Sequence, residues 1–169
     1  RRQRQMCIRD RWLCTHIWRY YLYSCDVQFL RSRFTILEQA VLFFIDFLEQ
    51  DEDGFYVTNP SVSPENTYIL PSGVHGNLCI GSTMDMQILH ELFAGYLVAA
   101  AELDVSNETT HAAATILLKL RPMRIGKDGR LLEWGGEYGE VEPGHRHISH
   151  LYALAPVSYT HLRAHETDS

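Results

Sequence analysis

Glu65 stands in the run PSVSPEN, between Pro64 and Asn66. Proline restricts the local backbone and so helps a loop aim a carboxylate. Such a carboxyl becomes a proton donor when burial against apolar or aromatic groups raises its pKa. Left in water it is a solvated charge, and the motif alone does not choose between the two. A second cluster, HRHISH, sets His145, His147 and His150 around Arg146. Three imidazoles within six residues suit zinc, since histidine is the commonest metal ligand. The spacing matches no familiar zinc-hydrolase signature, however, and Arg146 adds an unhelpful positive charge. Hydrogen-bond donors for a polyhydroxylated ligand, or structural histidines, fit at least as well. The third group is WLCTHIW, with Trp12, His16 and Trp18. An indole can pack on the apolar face of a sugar ring, although a tryptophan in a helix is more often core.

Helices must position these groups. Thr15 to Ser24 is too aromatic for a solvated face and reads as a helix, with a strand as the weaker alternative. Asp26 is placed to cap the next helix, which opens VQFL. Phe34, Leu37, Val41, Phe44, Ile45 and Leu48 then recur at intervals of three and four, an apolar helical stripe. The acidic DEDG of Asp51 to Gly54 reads as a turn. Ser82 followed by Asp85 resembles a capping box with Asp in place of Glu. Behind it a long helix runs to about Leu103. Ser106 or Asn107 starts a shorter helix through Leu120, stopped by Pro122, and a last helix begins near Ile148. Two connections, Gly54 to Gly81 and Arg121 to His147, lack helical pattern and carry Glu65, Trp134 and the histidines. Long connections inside a compact domain are commonly functional.

The chain has 169 residues, of which 46% are hydrophobic and 21% charged. This is globular composition, which excludes collagenous, disordered and disulfide-scaffold classes. No apolar run approaches the roughly 20 residues of a membrane-spanning helix. A net charge of −6 argues against a nucleic-acid footprint.

The ends differ from the middle. Residues 1–11, RRQRQMCIRDR, are basic and aperiodic, and resemble the translation of a transposase library adapter. VSYTHLRAHET, Val157 to Thr167, resembles the opposite adapter of the same kind. Residues 1–11 and 157–169 are therefore expected to be foreign and to pack poorly, and 12–156 to be the genuine segment. Cys14, Cys25 and Cys79 remain in that segment, an odd number without paired spacing, so no disulfide framework is expected.

Within 12–156 the ordered runs HIWRYYLYSCD, RFTILEQAVLFFIDFL, GFYVTNPSVSPEN, STMDMQILHELF, RIGKDGRLLEWGGE and HRHISHLYAL resemble glycoside hydrolase family 95. That family includes α-L-fucosidases, notably those acting on α-1,2-linked fucose. The resemblance implies an all-α fold, part of an (α/α)6 toroid built of antiparallel helix pairs with long functional loops. It implies inversion, with Glu65 matching the general acid. An Asn-x-Asn motif and an Asp that activate water complete the family's site, and neither motif occurs in this sequence. Trp12, His16, Asn66, Trp134, His145 and His147 fall where the resemblance places the sugar. It implies a fucosylated glycan as partner, no cofactor and no metal, and a secreted or periplasmic setting. Another specificity on the same scaffold, such as α-L-galactosidase, or a non-catalytic carbohydrate-binding module, is the alternative. Two positions depart from the pattern: Tyr20 stands where His is expected, and Cys25 where Gly is usual before Asp26. About five helices are less than half of a twelve-helix ring. Apolar faces around Phe43, Phe47, Phe93 and Leu97 are therefore expected to lack neighbours.

Overall fold

The computed structural model describes residues 8–154, with side chains from residue 12 onward. The expectations for residues 1–7 and 155–169 lie outside the described residues. The chain divides into two compact units. One holds the described residues up to Val57 together with Ile88–Leu120; the other holds Thr58–Gln87 and the described residues from Arg121 onward.

The first unit is helical. Helix α1 (Ile8–Ser24) begins earlier than its aromatic content indicated, and α2 (Val27–Phe47) follows after two residues. So short a link makes the two an antiparallel hairpin, and they pack on each other. Cys25 forms the link at φ +53, with its N–H donating to Tyr21 O at 2.8 Å. This left-handed conformation is the one that glycine adopts without steric cost, and it accounts for glycine being usual there. Asp26 caps α2 as expected, accepting from the Phe29 N–H at 2.9 Å. The helix buries Leu30, Phe34, Leu37, Ala40, Val41 and Phe44, nearly the stripe read from the sequence. Fully burying each large apolar side chain stabilises by about 1.5–3 kcal/mol.

Helix α3 (Thr83–Glu102) brings Phe93, Tyr96, Ala99 and Ala100 to the same core, and α4 (Glu108–Leu118) brings Ala113 and Ile116. Phe34 and Tyr96 stack with centroids 5.4 Å apart. Phe93, expected to lack neighbours, is fully buried, while Phe43, Phe47 and Leu97 are half-buried. Arg19 on α1 holds the Glu91 carboxylate of α3 through two bonds of 2.6 and 2.8 Å, a charge-assisted fork. Gly95 allows Trp18 to lie against α3, because a Cβ there would come within 2.8 Å of the indole. Asn107 caps α4 in a reciprocal box with Thr110 and also donates to Glu38 at 2.9 Å. After α2 the strands β1 (Glu49–Gln50) and β2 (Tyr56–Val57) pair antiparallel around the acidic turn. Asp51 Oδ1 accepts from the N–H groups of Asp53 and Phe55, and Gly54 takes φ +81.

The second unit holds both long connections, and they are not featureless. Strand β3 (Ser61–Val62) pairs with β6 (Leu78–Cys79), and β4 (Tyr68–Ile69) lies between β5 (His75–Gly76) and β7 (Gly139–Glu140). The β4–β7 pair aligns Tyr68 with Glu140, tying the connection that carries Glu65 to the one that carries the histidines. The unit's last described element is a 3-10 helix, Ser149–Leu154, beginning next to Ile148, where the last helix was expected. The capping box at Ser82 is only half formed. Ser82 Oγ is a long 3.4 Å from the Asp85 N–H, and the Asp85 carboxylate accepts instead from Thr58 and Ser61, each at 2.8 Å.

The fold class is all-α, consistent with part of an (α/α)6 toroid, with short strands confined to the connections. Among the described residues no helix is long and apolar enough to cross a membrane.

Candidate active site

Glu65 sits at the tip of the Ser63–Asn66 turn with φ +29, a left-handed conformation that costs any residue bearing a Cβ. Such strain persists only where surrounding bonds impose it, and it clusters at functional positions. The bonds are visible on both sides. Ser63 Oγ donates to Glu133 Oε1 at 2.6 Å and Asn66 Nδ2 to Glu133 Oε2 at 2.8 Å. Ser149 Oγ donates to the Pro64 carbonyl at 3.1 Å. The turn is thereby fastened to the segments around Glu133 and Ser149, and the Glu65 side chain, 60% exposed, emerges above it.

A guanidinium and an imidazole meet that side chain. Arg146 Nη2 donates to Glu65 Oε2 at 2.7 Å, and His147 Nε2 lies 3.1 Å from the same oxygen. The Arg146 bond, then the fields of His147 and Arg146, hold the Glu65 carboxyl below the usual glutamate range. As placed, Glu65 is anionic at neutral pH. This is the opposite of the raised pKa that a proton donor needs, because no apolar wall covers it and a guanidinium adjoins it.

The other candidate residues divide clearly. His145 is half-buried and stacks on His147 with centroids 5.4 Å apart; its Nδ1 accepts from the His147 N–H at 3.1 Å. Asn66 is buried, with its amide on Glu133 and its Oδ1 accepting from the Thr67 N–H at 2.9 Å. It faces inward, so its place is beneath the site. Trp134 is also buried and packs edge-on against Tyr68 at 5.8 Å, with its Nε1 unpartnered. It is part of the core of the second unit. Trp12 and His16 belong to the first unit, where they meet edge to face at 4.6 Å on α1, both exposed. The structure therefore brings Glu65, Asn66, His145 and His147 into one cluster and makes Trp12 and His16 a pair of their own. Among the described residues no three His, Cys, Asp or Glu side chains are grouped to hold a metal ion.

Sequence reasoning missed Glu133 and undervalued Arg146. Glu133 is only 6% exposed, and His150 Nδ1 faces its Oε2 at a long 3.5 Å. Burial pushes its carboxyl up, but the facing His150 and the bonds from Ser63 and Asn66 outweigh burial and leave it below the ordinary value. One signal was available: a single acid flanked by Leu132 and Trp134 in RLLEW is set to be buried, and a buried acid requires partners.

The chain matches the family described as "Glycosyl hydrolase family 95 catalytic domain" over residues 3–168. It is 40% identical over 147 residues to "Alpha-L-fucosidase 2" of Arabidopsis thaliana, an alignment covering 86% of this chain and 17% of that protein. It is 31% identical over 151 residues to "Probable alpha-fucosidase A" of Aspergillus niger (strain ATCC MYA-4892 / CBS 513.88 / FGSC A1513), covering 86% of this chain and 18% of that one. The chain thus spans less than a fifth of the length of either relative.

Proposed function

The chain belongs to glycoside hydrolase family 95, and from that premise we propose that a longer protein containing it hydrolyses α-L-fucosides, α-1,2-linked ones above all, with inversion. Glu65 is the general acid in this reading and donates its proton to the leaving glycosidic oxygen. A base on the far side of the sugar activates water, about 6.5–9.5 Å from the acid as inversion requires. The groups that would do so by family pattern are not among these residues. His145 and His147 hydrogen-bond sugar hydroxyls, and the exposed Trp12–His16 pair offers an aromatic face. Asn66 acts from beneath by supporting the turn.

The observation that carries this reading is the strained Glu65 turn pinned against the HRHISH segment, two motifs about 80 residues apart in sequence. The low pKa of Glu65 sets a condition on it. To carry a proton at neutral pH, Glu65 must lose the Arg146 contact and be covered by less polar surface. A seated glycan supplies that cover and competes for Arg146.

The test is fucose release from an α-1,2-fucoside by the longer protein, followed by NMR of the sugar first formed. β-L-fucose as first product supports the reading; α-L-fucose, or no release, overturns it. Residues 12–156 alone should release none, because they hold the acid without its base.

A further inference from the structure

Glu133 is a buried acid that the proposed reaction does not touch, yet the hydrogen bonds recorded to its carboxylate from Ser63 and Asn66 come from residues that flank Glu65. We infer that Glu133 is a positioning residue: its carboxylate grips Ser63 and Asn66 and so holds Glu65 in the left-handed conformation that presents it to Arg146 and His147. The inference rests on the proposed role of Glu65 only for its effect on turnover; the positioning itself stands on geometry.

Ser63 is two residues before Glu65 and Asn66 one residue after it. Their bonds to Glu133, 2.6 and 2.8 Å long, end on different oxygens of one carboxylate. A single planar group thus sets the distance between the two shoulders of the turn. All three side chains are buried, so water does not compete for these bonds. The carbonyl between the shoulders, on Pro64, is held separately by Ser149. With both shoulders fixed, the peptide between them has little freedom, and Glu65 takes φ +29 although it has a Cβ. Glu133 is itself anchored, since the Thr83 N–H donates to its carbonyl at 3.0 Å. Among the described residues, His150 Nδ1 lies 3.5 Å from its carboxylate, and the Cys79 thiol is close enough to feel its charge. A carboxylate with no purpose beyond stability would be a costly choice here, because an apolar side chain could fill the same space without desolvating a charge.

A substitution series on the full chain tests this, read by NMR titration of the Glu65 side-chain carboxyl. In Glu133→Gln the new amide can accept from Asn66 with its oxygen and donate to Ser63 with its nitrogen, so both grips survive. Glu65 should then titrate as in the parent, below the ordinary glutamate value. Glu133→Ala and the pair Ser63→Ala with Asn66→Ala remove the grips. Glu65 should leave Arg146 and His147, and its pKa should rise to the ordinary value of about 4.3. Should either of these fail to fold, Ser63→Ala and Asn66→Ala made singly keep one grip each and should shift Glu65 part of the way. Parent-like titration of Glu65 in any folded variant lacking a grip overturns the inference, as does a Glu133→Gln protein that behaves like Glu133→Ala. A general loss of packing would lower the unfolding temperature in all variants but would not sort Gln from Ala at Glu65. Failure of Glu65 as an acid would appear separately, as turnover in the longer protein that ignores Glu65→Gln.

Discussion

Arg146 donates to Glu65 at 2.7 Å, joining the tips of two connections that lie 81 positions apart. The contact sets the charge of Glu65 more than its stability, because both groups are largely exposed and solvent screens the pair. Arg146→Gln should therefore raise the Glu65 pKa toward about 4.3 and leave the unfolding temperature where it was. A carboxyl NMR titration checks the first expectation, and a Glu65 that titrates unchanged would show that the arginine does not set its charge.

The buried Glu133 makes stability depend on acid. Its folded carboxyl lies below the ordinary value despite burial, since His150, Ser63 and Asn66 favour the charged form. An unfolded glutamate titrates at about 4.3, so the stabilisation is complete above that pH and is lost as pH falls through the lower folded value. Glu133→Gln removes the titrating group, and its unfolding temperature should fall less steeply from pH 5 downward than the parent's. Parallel curves would contradict this.

Cys25 carries a side chain at φ +53, where glycine pays no steric cost. Cys25→Gly should stabilise the chain by about 1 kcal/mol, the lower end of the cost of a left-handed residue with a Cβ. Denaturant unfolding would show it as a higher midpoint at unchanged slope. A lower midpoint would mean that the thiol contributes more than its conformation costs.

Thiol chemistry should separate two cysteines. Cys25 is exposed, whereas burial, first among several influences, pushes the Cys79 thiol up to about 11. At pH 8 about one Cys79 in a thousand is then the reactive thiolate. Iodoacetamide followed by peptide mass spectrometry should find Cys25 labelled well before Cys79; the reverse order would refute the burial of Cys79.

Local signals were legible in the sequence and distant ones were not. Asp26 as a cap and the Leu30-to-Phe44 face of α2 depend on residues within one or two turns, so their spacing shows in the chain. The seven strands among the described residues have two residues each, too short for an alternating pattern to register. Asp85 was read as the reciprocal partner of Ser82 in a capping box because the two are three residues apart, but its bonding partners Thr58 and Ser61 are 27 and 24 positions distant. Glu65 stood out by motif. The acid beneath it did not, because Glu133 meets Asn66 and Ser63 across 67 and 70 positions and no local pattern announces that. Asn66 and Trp134 were assigned to the sugar for the same reason: their motifs place them near the site, and only the fold shows that they face inward.

The most direct test of Glu65 as proton donor is Glu65→Gln in the longer protein, assayed on two fucosides that differ in leaving group. General acid catalysis is worth about 10²–10⁴-fold. Turnover of an α-1,2-linked oligosaccharide, whose leaving oxygen needs a proton, should fall by about that factor. Turnover of α-L-fucosyl fluoride, whose departure needs little protonation, should fall far less. Equal losses on both substrates, or unchanged turnover of the oligosaccharide, would contradict the role given to Glu65.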